Sequence, residues 1–289
     1  MRLTGINLAP SFIISFVACV CLPSAGTRTN LRAQPAAQLA AQPARQTRVV
    51  RSPEGARGLE AYQKGDFKAA VTFLEQATKT RRDDATSWHF LGLAYQQLAQ
   101  ENDARKALEN ALLLRLLQLA PGASGKTTKP WNELSAEERE ARRRESLGHY
   151  REALSSVESY LRLNPKTAEF WRQQYEGLSF YVRNEEKPEA EKEAFHSSDE
   201  TITKAKVISK ASPDTTREAR RNRTSGTVVL RALLASDGSV KHIIALVMLP
   251  DGLTDRAMAA MRQVKFTPAT KNGRPVSQWV TFEYNFYFS

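Results

Sequence analysis

Histidine, cysteine and carboxylate side chains carry most catalysis and metal binding in proteins, but their spacing here matches no catalytic or metal-binding motif. None of the four histidines has a second histidine or a cysteine within four residues, the spacing typical of a zinc site. The sequence also lacks a phosphate-binding loop, a nucleophile elbow and paired carboxylates placed for one pocket. We therefore predict that the chain is not an enzyme and has no catalytic, metal-binding or cofactor-binding site and no small-molecule substrate. The histidines are His89, His149, His196 and His242.

Residues 1–26 have the character of a targeting segment. Arg2 is the only charged residue before Arg28, and the apolar stretch Phe12–Leu22 is interrupted only by Ser15. In a helix this stretch rises about 16 Å, roughly half of a bilayer core. The small residues at 24–26 suit cleavage by signal peptidase. This length favours a cleaved signal peptide, and the alternative is an inner-membrane anchor formed by residues 6–25.

A third alternative for this segment is lipidation at Cys19, because residues 16–19 loosely resemble a bacterial lipobox. Cys19 and Cys21 are the only cysteines, so cleavage would leave a mature chain without a thiol. Such a chain has no disulfide, zinc–thiolate site or catalytic cysteine. The simpler interpretation takes both cysteines as small apolar residues of the targeting segment.

Residues 27–53 are rich in alanine, glutamine, proline and arginine and have no apolar period, so we predict a flexible linker. The chain as a whole has a formal net charge of +11, distributed as +6 over residues 1–53, −3 over 54–203 and +8 over 204–289. A basic C-terminal region suits an acidic protein segment, an anionic lipid, a cell-wall polymer or nucleic acid. Charge alone does not choose among these partners.

A period of 34 residues begins after the linker and predicts helical repeats. The second copy contains the W-x-x-L-G-x-x-Y pattern typical of tetratricopeptide repeats (TPR). Small residues at the aligned positions allow two antiparallel helices to approach closely, and large residues fill the layer between repeats. The predicted packing residues are Gly58, Ala70, Leu74 and Ala77 in the first copy, and Trp88, Leu91, Gly92, Tyr95, Ala104, Leu108 and Ala111 in the second.

A third copy follows an insertion at about residues 120–131. We predict its second helix over 148–165 after a longer first helix from Ser135, and then a capping helix from about Trp171 to Tyr181. Residues 54–182 thus form an α-solenoid of about three repeats, with a groove suited to a peptide. The charged run at 135–146 is typical of a solvated helix face, because pairs such as Glu140–Arg144 lie four residues apart. No nucleic-acid partner is expected. The charged, apolar-poor stretch 183–203 is predicted to be a linker between domains.

The last part of the chain, residues 204–289, reads as a small α+β domain. Alternating apolar residues predict strands at 227–235 and 240–249, joined by a turn at 236–238. The second strand is apolar at nearly every position, which is typical of a central strand covered on both faces. A helix follows from Leu253 to Val264, and Asn272-Gly273 predicts a tight turn before a strand at 279–288. The predicted fold is a three-stranded antiparallel sheet with one main helix.

This order resembles the TonB C-terminal domain family through "SGTVVLRALLASDGSV", "LTDRAMAAMRQVKFTPATKNGRPV" and "WVTFEYNFYF". The resemblance covers less than a third of the chain. It implies that the last strand binds an extended N-terminal segment of an outer-membrane transporter by adding it to the sheet. One departure is Ser212-Pro213, where the family has a tyrosine–proline step that contributes to the partner contact.

On this resemblance the candidate docking strand consists of Val280, Thr281, Phe282, Glu283, Tyr284, Asn285 and Phe286. A basic approach helix with Arg217, Arg220, Arg221 and Arg223 would steer an acidic partner to it. The alternative is that this strand is buried in its own domain or in a homodimer formed through the C-terminal domain.

Three functions remain open. The first is a periplasmic adaptor in which the repeats hold one protein and the C-terminal domain holds another. The second is an energy transducer that couples a proton-driven inner-membrane motor to outer-membrane transport, although the family's anchor histidine has no counterpart before His89. The third, weaker alternative is a basic binder of cell-wall polymer. All three place the chain in the periplasm of a Gram-negative-type envelope, either secreted or anchored.

Overall fold

The computed structural model describes residues 52–121, 129, 131–163, 168–199 and 201–287. The predicted targeting segment, with Cys19, and residues 27–51 of the predicted linker lie outside the described residues. The described residues fall within one compact unit, Val50–Ser289. None of its described helices is both long enough and apolar enough to cross a bilayer.

In the described residues six α-helices come first, followed by a region of strands with two short α-helices between them. The helices are α1 Pro53–Gln63, α2 Phe67–Thr80, α3 Ala85–Gln97, α4 Glu101–Gln118, α5 Ala136–Leu161 and α6 Ala168–Glu186. The remaining elements are β1 Ala194–His196, β2 Lys206–Ser209, α7 Arg217–Asn222, β3 Gly226–Leu234, β4 Val240–Val247, α8 Leu253–Met261, β5 Lys265–Thr267, β6 Ala269–Lys271 and β7 Arg274–Phe286.

The first four helices form two antiparallel pairs whose starts are set by capping side chains. Ser52, Asp66 and Asp84 each accept a hydrogen bond from a first-turn backbone N–H of α1, α2 and α3. Because Ser52 caps α1 and Pro53 is its first residue, the predicted linker ends earlier than residue 53. Helix α1 therefore begins where a proline suits the first helical position.

Each helix pair closes where a glycine meets a leucine. A Cβ atom added to Gly58 would lie 2.5 Å from Leu74 Cγ, and one added to Gly92 would lie 2.6 Å from Leu108 Cγ. The 34-residue period thus repeats the same close contact. Ala70, Ala77, Ala104 and Ala111 are fully buried at these helix interfaces.

The third helix pair differs from the prediction. Helix α5 runs without a break for 26 residues, so 148–161 continues the helix that begins after Ser135 and is not a separate second helix. Ser135 starts it through a capping box with Glu138. Gly148 does not interrupt α5. Helix α6 is the partner of α5 and extends the predicted capping helix to Glu186.

The sheet has the strand order β1-β7-β3-β4, with β6 also paired to β7, and β2 pairs separately with β5. Strand β7 pairs antiparallel with the whole of β3, from Gly226 opposite Phe286 to Leu234 opposite Gln278. Strands β7 and β3 therefore lie inside the sheet, and β4 lies at its edge. This corrects the prediction of a central β4, whose apolar composition instead reflects helices on both of its faces.

The sheet lies between two hydrophobic layers. On one face Val229, Leu233 and Ile244 pack with α4, α5 and α6 in the same core as Leu108 and Leu116. On the other face strand residues pack against α8. The larger members of this second core are Val228, Leu230, Leu234, Leu253, Met258, Met261, Phe282, Tyr284 and Phe286. The helical repeats and the α+β region therefore share one core.

The predicted linker at 183–203 is instead part of the packed structure. Its first residues complete α6, and Ala194, which is fully buried, begins β1. Strand β1 pairs parallel with β7, placing His196 opposite Trp279. Asn184 fixes the segment, because its Oδ1 accepts from Ala194 N at 3.0 Å and its Nδ2 donates to Ala194 O at 2.8 Å. The Asn184 side chain thus bonds backbone groups that a neighbouring strand would otherwise pair. The composition of the segment does not predict this contact.

Candidate protein-docking site

One edge of β7 is left largely unpaired. Strand β3 covers the inner edge of β7 from Gln278 to Phe286. On the outer edge β1 reaches only from Ser277 to Trp279. Within the described residues no strand pairs with 280–286 on this side. We call residues 280–286 on this side the open edge.

Hydrogen bonds from two side chains show which main-chain groups face outward. Ser197 Oγ donates to Trp279 O at 2.9 Å, and Lys210 Nζ donates to Glu283 O at 2.6 Å. The N–H and C=O of one strand residue point to the same edge, and those of the next residue point to the opposite edge. Thr281, Glu283 and Asn285 therefore present their main-chain groups at the open edge, whereas the residues between them pair with β3.

The side chains of the predicted docking strand divide between two faces. Phe282, Tyr284 and Phe286 are buried in the core beneath α8, and Val280 packs at its margin. Burial raises the pKa of Tyr284 to about 12, so its hydroxyl stays neutral. On the other face Glu283 and Asn285 are exposed, and Thr281 Oγ1 accepts from Arg231 Nε at 3.2 Å. The strand is thus anchored by every second side chain, while its open edge pairs with no strand of the described residues.

The predicted basic helix lies at the far end of this strand. Helix α7 precedes β3, whose first residue, Gly226, is opposite Phe286. All four arginines are exposed, and Arg223 ends the helix in a left-handed conformation, with φ of 53°. Asp251 holds α7 in place, because its backbone O accepts from Thr216 Oγ1 at 2.6 Å. The arginines therefore project from a fixed support near the C-terminal end of the docking strand.

On the other side of the sheet, helix α6 covers the outer edge of β4. Gln174 is fully buried, and its Oε1 accepts from Ala245 N at 2.8 Å. Its Nε2 donates to Ile243 O at 3.4 Å. One turn further along, Gly177 lies so close to β4 that an added Cβ would be 2.7 Å from Ile244 Cγ1. A side-chain amide thus occupies the position of a neighbouring strand, and β4 offers no comparable open edge at these residues.

A polar contact also joins α5 to β3 within the interface between the repeats and the sheet. Tyr150 of α5 accepts a hydrogen bond from Arg231 of β3, and its ring stacks on Tyr181 with 3.6 Å between centroids. Burial raises the pKa of both tyrosines. Nearby, burial disfavours the charge of Glu185, but hydrogen bonds from His196 and Lys192 outweigh this effect and lower its pKa to about 2. These polar groups hold the sheet in one position on the repeats.

A second concave surface lies on the repeats, between α2, α3 and α4. It encloses about 810 Å³. Trp88, Leu91 and Tyr95, predicted as packing residues, line this groove. Tyr95 donates to Glu75, which together with burial raises the pKa of Tyr95. The other lining residues are Thr78, Lys79, Arg82, Asp103, Lys106, Ala107, Asn110, Leu113 and Leu114.

The groove combines an apolar floor with a charged rim. Leu91 and Ala107 line it as buried residues, and Leu113 adds an apolar side chain that is 39% exposed. Lysine and arginine side chains outnumber carboxylates among the lining residues. Such a surface suits an amphipathic peptide that has apolar anchors and acidic flanks.

The four histidines do not come together. His89 is buried near Ser156, with 3.2 Å between His89 Nδ1 and Ser156 Oγ, while His196 lies 3.1 Å from Glu185 and His242 stacks on Phe180. His149 lies on α5 apart from them. Among the described residues no group of three or more histidine, cysteine or carboxylate side chains is placed to hold a metal ion.

This arrangement defines a helical-repeat protein that carries a small α+β module on its last repeat helix. Residues 216–288 match the sequence model of the family described as Gram-negative bacterial TonB protein C-terminal. Residues 55–84 and 85–116 match the tetratricopeptide repeat, one match for each of the first two helix pairs. Both resemblances predicted from the sequence are confirmed, and both families generally mediate protein–protein interaction. The comparison with curated proteins gives no match.

Three side chains that bond to strand edges of the sheet were missed by sequence reasoning. Lys210, Gln174 and Asn184 all use side chains to satisfy strand backbone groups. A lone lysine, glutamine or asparagine gives no periodic signal. Their roles depend on which strand lies beside them in the folded chain.

Proposed function

We propose that this chain is a non-enzymatic, protein-binding protein of the periplasm that docks an extended peptide along the open edge of β7. The observation that carries the proposal is the unpaired outer edge beyond Trp279, on a strand whose inner edge pairs with β3 from Gln278 to Phe286. An incoming strand would gain main-chain hydrogen bonds from Thr281, Glu283 and Asn285. Strand addition of this kind obtains affinity from the backbone and specificity from neighbouring side chains.

Electrostatics support an acidic partner. The exposed arginines of α7 stand at one end of the edge, and the region 204–289 carries a net charge of +8. Long-range attraction raises the association rate of an acidic segment and weakens as salt increases. The family match to residues 216–288 supports an outer-membrane transporter segment as the partner.

The groove on α2, α3 and α4 is the proposed site for a second protein. Its apolar floor and charged rim suit a peptide, and it lies on the two repeats that match the tetratricopeptide family. Because the repeats and the sheet share a core, both sites belong to one body. The chain therefore acts as an adaptor that holds two partners at a fixed separation.

An energy transducer is the second candidate function, and the match to the TonB C-terminal family favours it. It requires a retained anchor at residues 6–25, whereas the adaptor needs only export. N-terminal sequencing of the mature protein separates them. A start at Thr27 excludes the anchored transducer, an intact N-terminus supports it, and a blocked Cys19 indicates a lipid anchor. Binding of cell-wall polymer, the weaker candidate, predicts salt-sensitive retention on isolated peptidoglycan.

The docking proposal is tested with paired variants at one outward-facing residue. Glu283→Pro removes the outward N–H, and Glu283→Ala removes the same side chain but keeps that N–H. A photo-crosslinking residue at Asn285 then reports any bound protein in cells. We expect crosslinks to an extended terminal segment of an envelope protein in the wild type and Glu283→Ala, and their loss in Glu283→Pro.

Folding must be checked in parallel, because proline is tolerated only at strand edges. Thermal unfolding of Glu283→Pro should resemble that of Glu283→Ala, since this N–H does not pair with β3. Equal crosslinking in both variants would exclude backbone docking at the open edge.

A further inference from the structure

The open edge carries a lysine side chain at the position where a docked strand must bond. Lys210 Nζ donates to Glu283 O at 2.6 Å. The same ammonium lies 4.4 Å from the centre of the Tyr284 ring. Of the outward-facing carbonyls beyond β1, Glu283 O lies at the centre of the candidate docking strand. It is therefore an acceptor that any added strand would use.

The segment that carries Lys210 follows β7 without forming a ladder with it. At its start Ala205 N donates to Gln278 Oε1 at 2.7 Å, and at its end Lys210 reaches Glu283. The two contacts are five residues apart on both segments, so the segment runs beside β7 in the same direction. Each contact joins a side chain to a main-chain group, so neither is a bond between the main chains of two strands.

The main-chain bonds of this segment go elsewhere. Strand β2 pairs with β5, through Lys206 opposite Thr267 and Val207 opposite Phe266. All four β2 residues are exposed, and Ile208 is 68% exposed. The segment therefore rests against the open edge through contacts that can break one at a time, without unfolding β7.

We infer that Lys210 is a displaceable cap that closes the docking edge until an extended peptide replaces its hydrogen bond to Glu283. This inference rests on the proposed docking function and adds how the edge is kept closed. A docked strand places its own N–H on Glu283 O, and the released ammonium can remain above the Tyr284 ring. The cap reduces the affinity of the edge for any strand, so a partner must provide further contacts to bind. It also protects an exposed edge from unintended pairing.

The test compares full-chain Lys210→Met with Lys206→Met. Both variants remove one positive charge from the same segment, but in the structure as described only Lys210 contacts the edge. The probe is a fluorescent synthetic peptide of alternating threonine and valine with glutamates at both ends. A second probe carries N-methyl groups on alternate residues, so that one edge of it cannot donate. Fluorescence anisotropy gives the dissociation constants.

We expect Lys210→Met to bind the unmethylated probe roughly two- to tenfold more tightly than the wild type, the range of one ordinary hydrogen bond. Lys206→Met should bind no more tightly than the wild type. Hydrogen exchange of peptides covering 205–211 should also become faster in Lys210→Met only, because the end of the segment is released.

The outcomes separate the cap from the docking function. Equal binding to the wild type and Lys210→Met, with the methylated probe still rejected, overturns the cap and leaves docking intact. Equal tightening in Lys206→Met and Lys210→Met assigns the effect to net charge and also overturns the cap. Failure of every variant to distinguish the two probes overturns docking itself, and the cap with it.

Discussion

Gln174 occupies the place of a neighbouring strand at the edge of β4, with its Oε1 2.8 Å from Ala245 N. The second half of the same amide donates to Ile243 O at 3.4 Å. Gln174 is fully buried, so water cannot replace it when it is removed. The last repeat helix thus covers the outer edge of β4, and the run that we propose as a docking edge lies on the other side of the sheet, on β7 beyond its pairing with β1.

Replacing Gln174 with methionine should lower the free energy of unfolding by roughly 1–3 kcal/mol, because a buried backbone N–H and C=O lose their partner without a change in side-chain size. The matched control is Gln173→Met, whose exposed amide accepts from Arg262 at 3.0 Å and donates to Glu169 at 3.4 Å. That control should change stability by less than about 0.5 kcal/mol. Urea unfolding monitored by circular dichroism measures both. Equal stabilities of the two variants would show that the amide is not structurally required.

The two glycines of the last helix pair should respond oppositely to alanine. At Gly177 the new Cβ would lie 2.7 Å from Ile244 Cγ1, and at Gly148 no atom lies within 4 Å. Gly177→Ala should therefore destabilise the protein by about 1–3 kcal/mol through overpacking.

Gly148→Ala should raise stability by up to about 1 kcal/mol, because alanine is the better helix former. Thermal unfolding of both variants provides the comparison. We expect one transition in each, since the repeats and the sheet share a core. A loss of stability in Gly148→Ala would contradict the open space around this residue, and two separate transitions in Gly177→Ala would contradict the shared core.

The repeats and the last strands could be predicted because their signals are periodic. Gly58 and Gly92 recur with the leucines that they contact, and the end of β7, residues 282–286, alternates buried and exposed side chains. A tight turn was also readable at Asn272-Gly273, where both residues have positive φ, 53° and 76°. These patterns are local, and the surrounding fold does not override them.

The junction between repeats and sheet could not be predicted, because it depends on single contacts over long sequence separations. Residues 183–203 have few apolar side chains, yet Ala194 and Phe195 are buried once β7 pairs with β1. Strand β4 likewise lies at an edge of the sheet, with β3 and β7 between it and β1. Composition describes how a segment behaves alone, and here a partner segment more than 80 residues away determines its structure.

Removing the hydroxyl of Tyr150 should weaken the interface between repeats and sheet. Arg231 donates to this hydroxyl and, through Nε, to Thr281 Oγ1 at 3.2 Å. Tyr150→Phe keeps the stacking on Tyr181 but removes an acceptor for a charged group, so we expect a loss of roughly 1.5–3 kcal/mol.

A double-mutant cycle with Arg231→Met shows whether this loss belongs to the pair. Once Arg231 is replaced, Tyr150→Phe should cost much less, because its partner is already gone. Urea unfolding of the four proteins gives the coupling energy. Additive losses would mean that the Tyr150 hydroxyl does not act through Arg231.

His89 should make the free energy of unfolding fall with decreasing pH. The fall should begin at a pH above that at which most carboxylates titrate. Burial, together with the nearby Arg115 guanidinium, lowers the pKa of His89 to about 3. The unfolded chain takes up this proton near pH 6.5, whereas the folded protein does not until about pH 3. Stability from His89 is therefore complete above pH 6.5 and is lost as the pH falls towards 3. Between pH 7 and pH 5 the loss should be about 2 kcal/mol.

Replacing His89 with glutamine removes the titrating group while leaving a polar side chain near Ser156. The variant should lose less stability than the wild type between pH 7 and pH 5, even if it is less stable at pH 7. Urea unfolding at several pH values from 5 to 7 measures the slopes. Parallel pH profiles for the wild type and His89→Gln would contradict a neutral, buried His89, because the proton linkage requires the slopes to differ.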